Sequence, residues 1–277
     1  MKESLAALDP HRIFKEIRYH DSLEHLPFRQ REQFFSNIQQ TVTGLAQIKH
    51  DLPYRLFLTH ELGYNLERSF ANLAQTPLNI ACCDDDIEMG ATIAPGNQLV
   101  LEIAAAPVYL QHHSSTITQL DIAHELGHQL AFGAQYGFTA DQRNNQPRMT
   151  SYSRNIAQNW QNEFDADRFA VAINPRNKPA SALNDKHPLN ALYQKGLLPQ
   201  FIAEPLSQFC QWRNIKMFLS YQKHTPDMTD RQIGFLNNAL MALDLGVSPY
   251  HPPPLSRAVE GQKFARKIDN FLNNPKA

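Results

Sequence analysis

The sequence is poor in cysteine, in charge of one sign and in long apolar runs, and each absence closes off a class of protein. Three cysteines in 277 residues, an adjacent pair (Cys82, Cys83) and a distant single (Cys210), do not make a disulfide framework and suit a reducing compartment. The pair reads as small buried apolar residues rather than metal ligands. Lys and Arg number 26 against 27 Asp and Glu, a formal net charge of −1, so there is no basic footprint and nucleic acid is not an expected partner. No run approaches the ~18 apolar residues of a membrane helix, and Met1 to Arg18 lack the apolar core of a cleavable signal. The expectation is a soluble protein with no integral membrane segment, cytoplasmic or exported without a cleavable signal peptide. Asp84-Asp85-Asp86 lacks the Gly and distal Glu of a calcium loop and reads as a solvated turn. What remains is an ordinary globular composition, 42% hydrophobic and 19% charged, long enough for one large domain or two small ones.

Against that plain background one stretch stands out. Ile117, Leu120, Ala123, Leu126 and Leu130 recur at helical spacing, and within that helix lies His124-Glu125-Leu126-Gly127-His128. Residues four apart share a helix face, so both imidazoles can point at a single ion. Glu125 sits one residue round, placed to reach a water on that ion rather than to ligate it. This arrangement resembles the H-E-x-x-H helix of zinc peptidases. His60-Glu61-Leu62-Gly63-Tyr64 repeats four of the five letters, but tyrosine replaces the second histidine, so that copy is read as incidental.

Around this helix the pattern predicts a mainly α protein with a small β-sheet. Residues 1–50 read as helices, with Phe34, Ile38, Val42, Leu45 and Ile48 forming an apolar stripe that Pro53 ends. Tyr54 to Leu58 reads as a short strand and Leu66 to Leu73 as a helix. From Pro77 the period changes: Leu78 to Cys82 and Gln98 to Glu102 read as strands. The second of these, with Leu99, Val100 and Leu101, is expected at a sheet edge where an extended peptide can pair through its backbone. Gly133 to Tyr152 reads as a loop beside the helix. The expected division is an N-terminal helical region, 1–75, and a second domain, 76–277.

A catalytic zinc needs a third protein ligand and one open position. Trp160 to Ala170 reads as a helix on which Glu163, Ala166, Asp167 and Ala170 share a face. The alanines permit close packing against the first helix, which would bring Glu163 to about 2 Å from the ion. Asp167, a turn further on, is then placed to accept a hydrogen bond from a ligand histidine and fix its tautomer.

Taken together, H-E-L-G-H, Glu163-Phe164-Asp165-Ala166-Asp167 and His251-Pro252-Pro253-Pro254-Leu255-Ser256-Arg257 resemble the gluzincin metallopeptidases of the CAAX-prenyl-protease and HtpX-like kind. The last of these opens a helix striped by Val259, Phe264, Ile268 and Phe271, and Gly90 to Val100 is similar to that family's segment before its substrate strand. The resemblance covers about residues 78–265; its membrane-embedded branch is excluded by the missing membrane helices. It implies a zincin-like α+β fold in which the H-E-L-G-H helix packs on the helix carrying Glu163. It also implies one zinc per chain held by His124, His128 and Glu163, and a protein or peptide substrate whose bonds are hydrolysed by a zinc-bound water that Glu125 activates. His251 would lie by the developing oxyanion, as Tyr152 or Tyr250 could, with Arg257 as a supporting charge and Asp167 orienting a ligand histidine. Leu99 to Leu101 would carry the substrate strand. Two other readings share these motifs: a peptidase resembling the repressor-cleaving ImmA/IrrE type, and a zinc-stabilised binding protein that cleaves nothing. Intact Glu125 argues against the second, because a structural site has no use for a base. A delivered effector with one host target is compatible with the same residues.

Overall fold

The computed structural model of the chain describes residues 13–83, 89–93, 101–112, 115–136, 156–173, 192–193, 195–224 and 252–274. They form a mainly helical protein with one small sheet, as the sequence pattern predicts. By compactness the chain divides into Met1–Gln146 with Arg168–Asn177, and Pro147–Asp167 with Lys178–Ala277. The expected boundary at residue 75 does not hold. Strand β1 (Ile17–Tyr19) pairs in parallel with β2 (Leu78–Cys82), so both sides of that boundary share one sheet.

In the first unit, helix α1 (Phe28–His50) forms because its apolar stripe needs cover: Phe34, Ile38, Val42, Leu45 and Ile48 are all at most 3% exposed. Asp51 then ends one helix and starts the next, accepting a hydrogen bond from the Tyr54 N–H at 3.0 Å, with Pro53 in the first turn of α2 (Leu52–Leu62). The strand expected at Tyr54 to Leu58 is therefore helix: a cap and an N-terminal proline outweigh a short apolar run. Gly63 closes α2 at φ 73°, the left-handed conformation that favours glycine, and Asn65 caps α3 (Leu66–Leu73). The expectation of helices throughout 1–50 also fails at Ile17–Tyr19, where the hydrogen bonds go to the sheet.

The sheet order is β1-β2-β4-β3, with β3 at Met89–Ile93 and β4 at Leu101–Ala105. β1, β2 and β4 run parallel, and β3 is the antiparallel edge. After β4 come a short helix, α4 (Pro107–His112), and α5 (Ser115–Tyr136). Helices α1 and α3 pack on α5, as does β3. The buried Ser69 hydroxyl donates to the Leu130 carbonyl at 3.0 Å, fastening α3 to α5. The last turns of α6 (Ile156–Ile173) belong to this unit. The Tyr54 hydroxyl donates to the Ala172 carbonyl at 3.0 Å, Tyr64 stacks on Phe169, and Gly44 lets the chain at Ile173 come close.

In the second unit α7 (Gln200–His224) packs on α8 (Pro254–Asn273) around Tyr193, Ala203, Leu255, Ala258 and Val259. The Ser207 and Ser256 hydroxyls bond across this core at 3.1 Å, and Tyr193 donates to Gln262. As expected, Val259, Phe264 and Ile268 are buried; Phe271 is half-buried. Among the described residues no helix is long and apolar enough to cross a membrane.

Candidate metal centre

Helix α5 presents its histidines as the four-residue spacing requires. Leu120, Ile122, Ala123, Leu126 and Leu130 are buried and fix the helix's rotation. His124 is then 8% exposed and His128 half-buried. Their Nε2 atoms approach to 3.0 Å, with the rings nearly perpendicular at 84°. At that separation at most one proton lies between the two nitrogens, so at least one presents a lone pair. Two zinc–nitrogen bonds of 2.0–2.1 Å at a tetrahedral angle span about 3.3 Å, close to the separation seen.

Glu163, on α6, is 8% exposed. One ligand atom each from His124, His128 and Glu163 lie within 4.8 Å of one another, so the group could hold a metal ion. Two imidazoles and one carboxylate suit a divalent ion of borderline softness and leave a tetrahedral ion one further position. Glu125 is half-buried, next to His124 and off the ligand set. Ala166 and Ala170 on α6 are buried.

The Asp167 carboxylate takes the fork of Arg257. Nε donates to Oδ2 at 2.8 Å and Nη2 to Oδ1 at 2.6 Å, while the same Nη2 stands 3.9 Å from Oε2 of Glu163. Arg257 is thus anchored on the helix that carries Glu163, and α8, which opens at Pro254, places it there. Ninety sequence positions separate the pair, and no local pattern reveals it. Two further acidic groups escaped sequence reasoning. Asp165 is 2% exposed and accepts from Gln161 Nε2 at 2.8 Å. Asp121 receives the hydroxyl hydrogen of the buried Tyr109.

The substrate-strand expectation needs correction. Leu101 opens β4, whose register pairs it with Leu78 on one side and Ile93 on the other, so this strand is interior and has no free edge. The edges are β1 and β3. Leu99, Val100, the aspartates at 84–86, Tyr152, Tyr250, His251 and the segment after Tyr136 lie outside the described residues. Cys82 and Cys83 are partly exposed, and Cys82 donates its backbone N–H to the Ser22 hydroxyl at 3.0 Å. The echo at His60 is a helix end: His60 is largely exposed, Gly63 stops the helix and Tyr64 is buried.

No family model, curated protein or solved structure matches the chain.

Proposed function

We propose that the protein is a metal-dependent hydrolase whose substrate is the peptide bond. More narrowly, we read it as a zinc endopeptidase of gluzincin type, resembling the soluble relatives of the CAAX-prenyl-protease and HtpX-like enzymes. The observation that carries this is the convergence of two imidazole nitrogens, 3.0 Å apart on the helix that also bears Glu125, with the Glu163 carboxylate of α6. A binding-only metal site has no need of that additional carboxylate.

Zinc, when bound by His124, His128 and Glu163, supplies a Lewis acid that acidifies water and polarises the scissile carbonyl. Glu125 removes the proton of the attacking water and delivers it to the departing amine. Arg257, held by Asp167, keeps a fixed positive charge beside Glu163 and limits that carboxylate's movement. An extended substrate adds to β3, the sheet edge that packs on α5, through backbone hydrogen bonds. His251 remains the proposed oxyanion donor, by resemblance alone.

The test uses purified full-length protein. Wild type should bind one zinc and cleave casein or a peptide library in a chelator-reversible way. Glu125→Gln should keep the zinc while turnover falls at least ~100-fold. A fully active Glu125→Gln variant would overturn the assignment, and a wild type that binds zinc but cleaves nothing would favour the binding-only alternative. Comparing new protein termini generated by wild type and by Glu125→Gln across a proteome then identifies the substrate.

A further inference from the structure

Tyr109 is 6% exposed on a helix of six residues that directly follows β4. Its hydroxyl donates to Oδ2 of Asp121. On α5, positions 118, 121 and 125 follow one another at i, i+3 and i+7, so Asp121 lies one turn before Glu125 on the same face. Burial pushes the Tyr109 phenol well above its ordinary range. Asp121's charge adds to this, Thr118 opposes it, and the charge of Glu125 adds again. The phenol thus lies along the stripe of Thr118, Asp121 and Glu125, within reach of the last one's field.

The direction of helical side chains makes this arrangement consequential. Every Cα–Cβ bond on a helix tilts toward the N-terminus, so a side chain covers the turn before its own. Glu125 by default leans back over Asp121, away from the turn that carries His128. A carboxylate held at 121 opposes that lean, because a like charge that is pinned cannot itself move off and leaves Glu125 to turn away.

We propose that Tyr109 is a positioning residue for Glu125: by holding Asp121 in place it keeps a negative group one turn before the base, and so directs the Glu125 carboxylate toward the histidines. This rests on the peptidase reading for its catalytic consequence, though not for its geometry. A simple staple between α4 and α5 would make the same hydrogen bond, and the two roles separate on substitution.

Tyr109→Phe keeps the ring and removes only the hydroxyl. Asp121→Asn keeps a hydrogen-bond acceptor for Tyr109 and removes the charge, so a staple would survive it. In crystals of both zinc-loaded variants without substrate, the Glu125 carboxylate should swing back over position 121, while zinc stoichiometry stays at the wild-type value. In the peptidase assay each variant should lose about ten-fold in kcat at constant KM, short of the ~100-fold that a full 1 Å misplacement can cost. The double variant should be no worse than either single, because both act through one group. Glu125 unmoved in either crystal, or Asp121→Asn with wild-type kcat, would overturn the proposal. If wild type cleaves nothing, the peptidase reading fails, and the crystallographic comparison still decides the role of Tyr109.

Discussion

Arg257→Leu offers the sharpest energetic test of how the second unit is held. The guanidinium grips both oxygens of Asp167, at 2.8 and 2.6 Å, and the Asp167 side chain is 2% exposed against 19% for Arg257. Removing the cation leaves a carboxylate almost fully out of water with its main counter-charge gone. Breaking such a buried pair from one side costs ~3–5 kcal/mol, and the residual exposure of Arg257 argues for the low end, about 3 kcal/mol. With a urea slope near 2 kcal/mol/M, that is a midpoint lowered by roughly 1.5 M. The measurement is a urea titration on zinc-free protein, so that metal binding does not mask the change by mass action. Arg257→Leu combined with Asp167→Leu should recover most of the loss, since the stranded charge disappears with its partner. Arg257→Lys should fall between, keeping a charge but losing the fork. A loss below about 1 kcal/mol, or a double variant no more stable than the single, would refute the pairing argument.

Other expectations follow from the same geometry. Gly44→Ala would put a methyl group 2.3 Å from the Ile173 carbonyl oxygen; net of the helix propensity gained, it should cost about 1–2 kcal/mol, read by urea melts. His128→Ala should lose zinc and, on the proposed reading, activity together, as measured by metal analysis beside the peptide assay. Burial pushes the Tyr19 phenol up to about 12 from 10.0. Its neutral form is thus favoured in the folded state: the stabilisation is complete below pH 10 and is lost as pH rises toward 12, because the unfolded chain ionises first. Circular dichroism and tyrosinate absorbance followed together from pH 9 to 12.5 should show a shallower stability loss in Tyr19→Phe than in wild type.

What could be read from the sequence was what a short window contains. The stripe from Phe34 to Ile48 repeats over several turns, and the pairing of His124 with His128 follows from one helical spacing; both stand in the structure. Glu163 needed only a helix and a ligand count. The misreadings arose where a local signal competed with a cap or with a distant partner. Tyr54 to Leu58 looks like a strand until Asp51 is seen to cap the helix it begins. Ile17–Tyr19 is too short to announce itself and is made a strand by its pairing with Leu78–Ile80. Leu101 lies in a strand as its local pattern suggests, but an interior one, because strand order depends on β3 and β2 folding to either side of it. Helix α7 has no clear signal in the sequence: Pro205 lies inside it, and the exposed Phe201, Phe209 and Trp212 blur its apolar period. The Arg257–Asp167 and Tyr109–Asp121 contacts are facts of tertiary structure with no periodicity to betray them.

Helix α6 runs unbroken from Ile156 to Ile173, with Ala172, Phe169 and Ile173 gripped at its far end and Glu163 riding nearer its start. Such a rod behaves like a threaded screw, on which one extra residue between positions 163 and 169 would spin the carboxylate by ~100° and shift it ~1.5 Å along the axis. Mutational drift in that span should therefore change letters freely at outward positions long before it changes length.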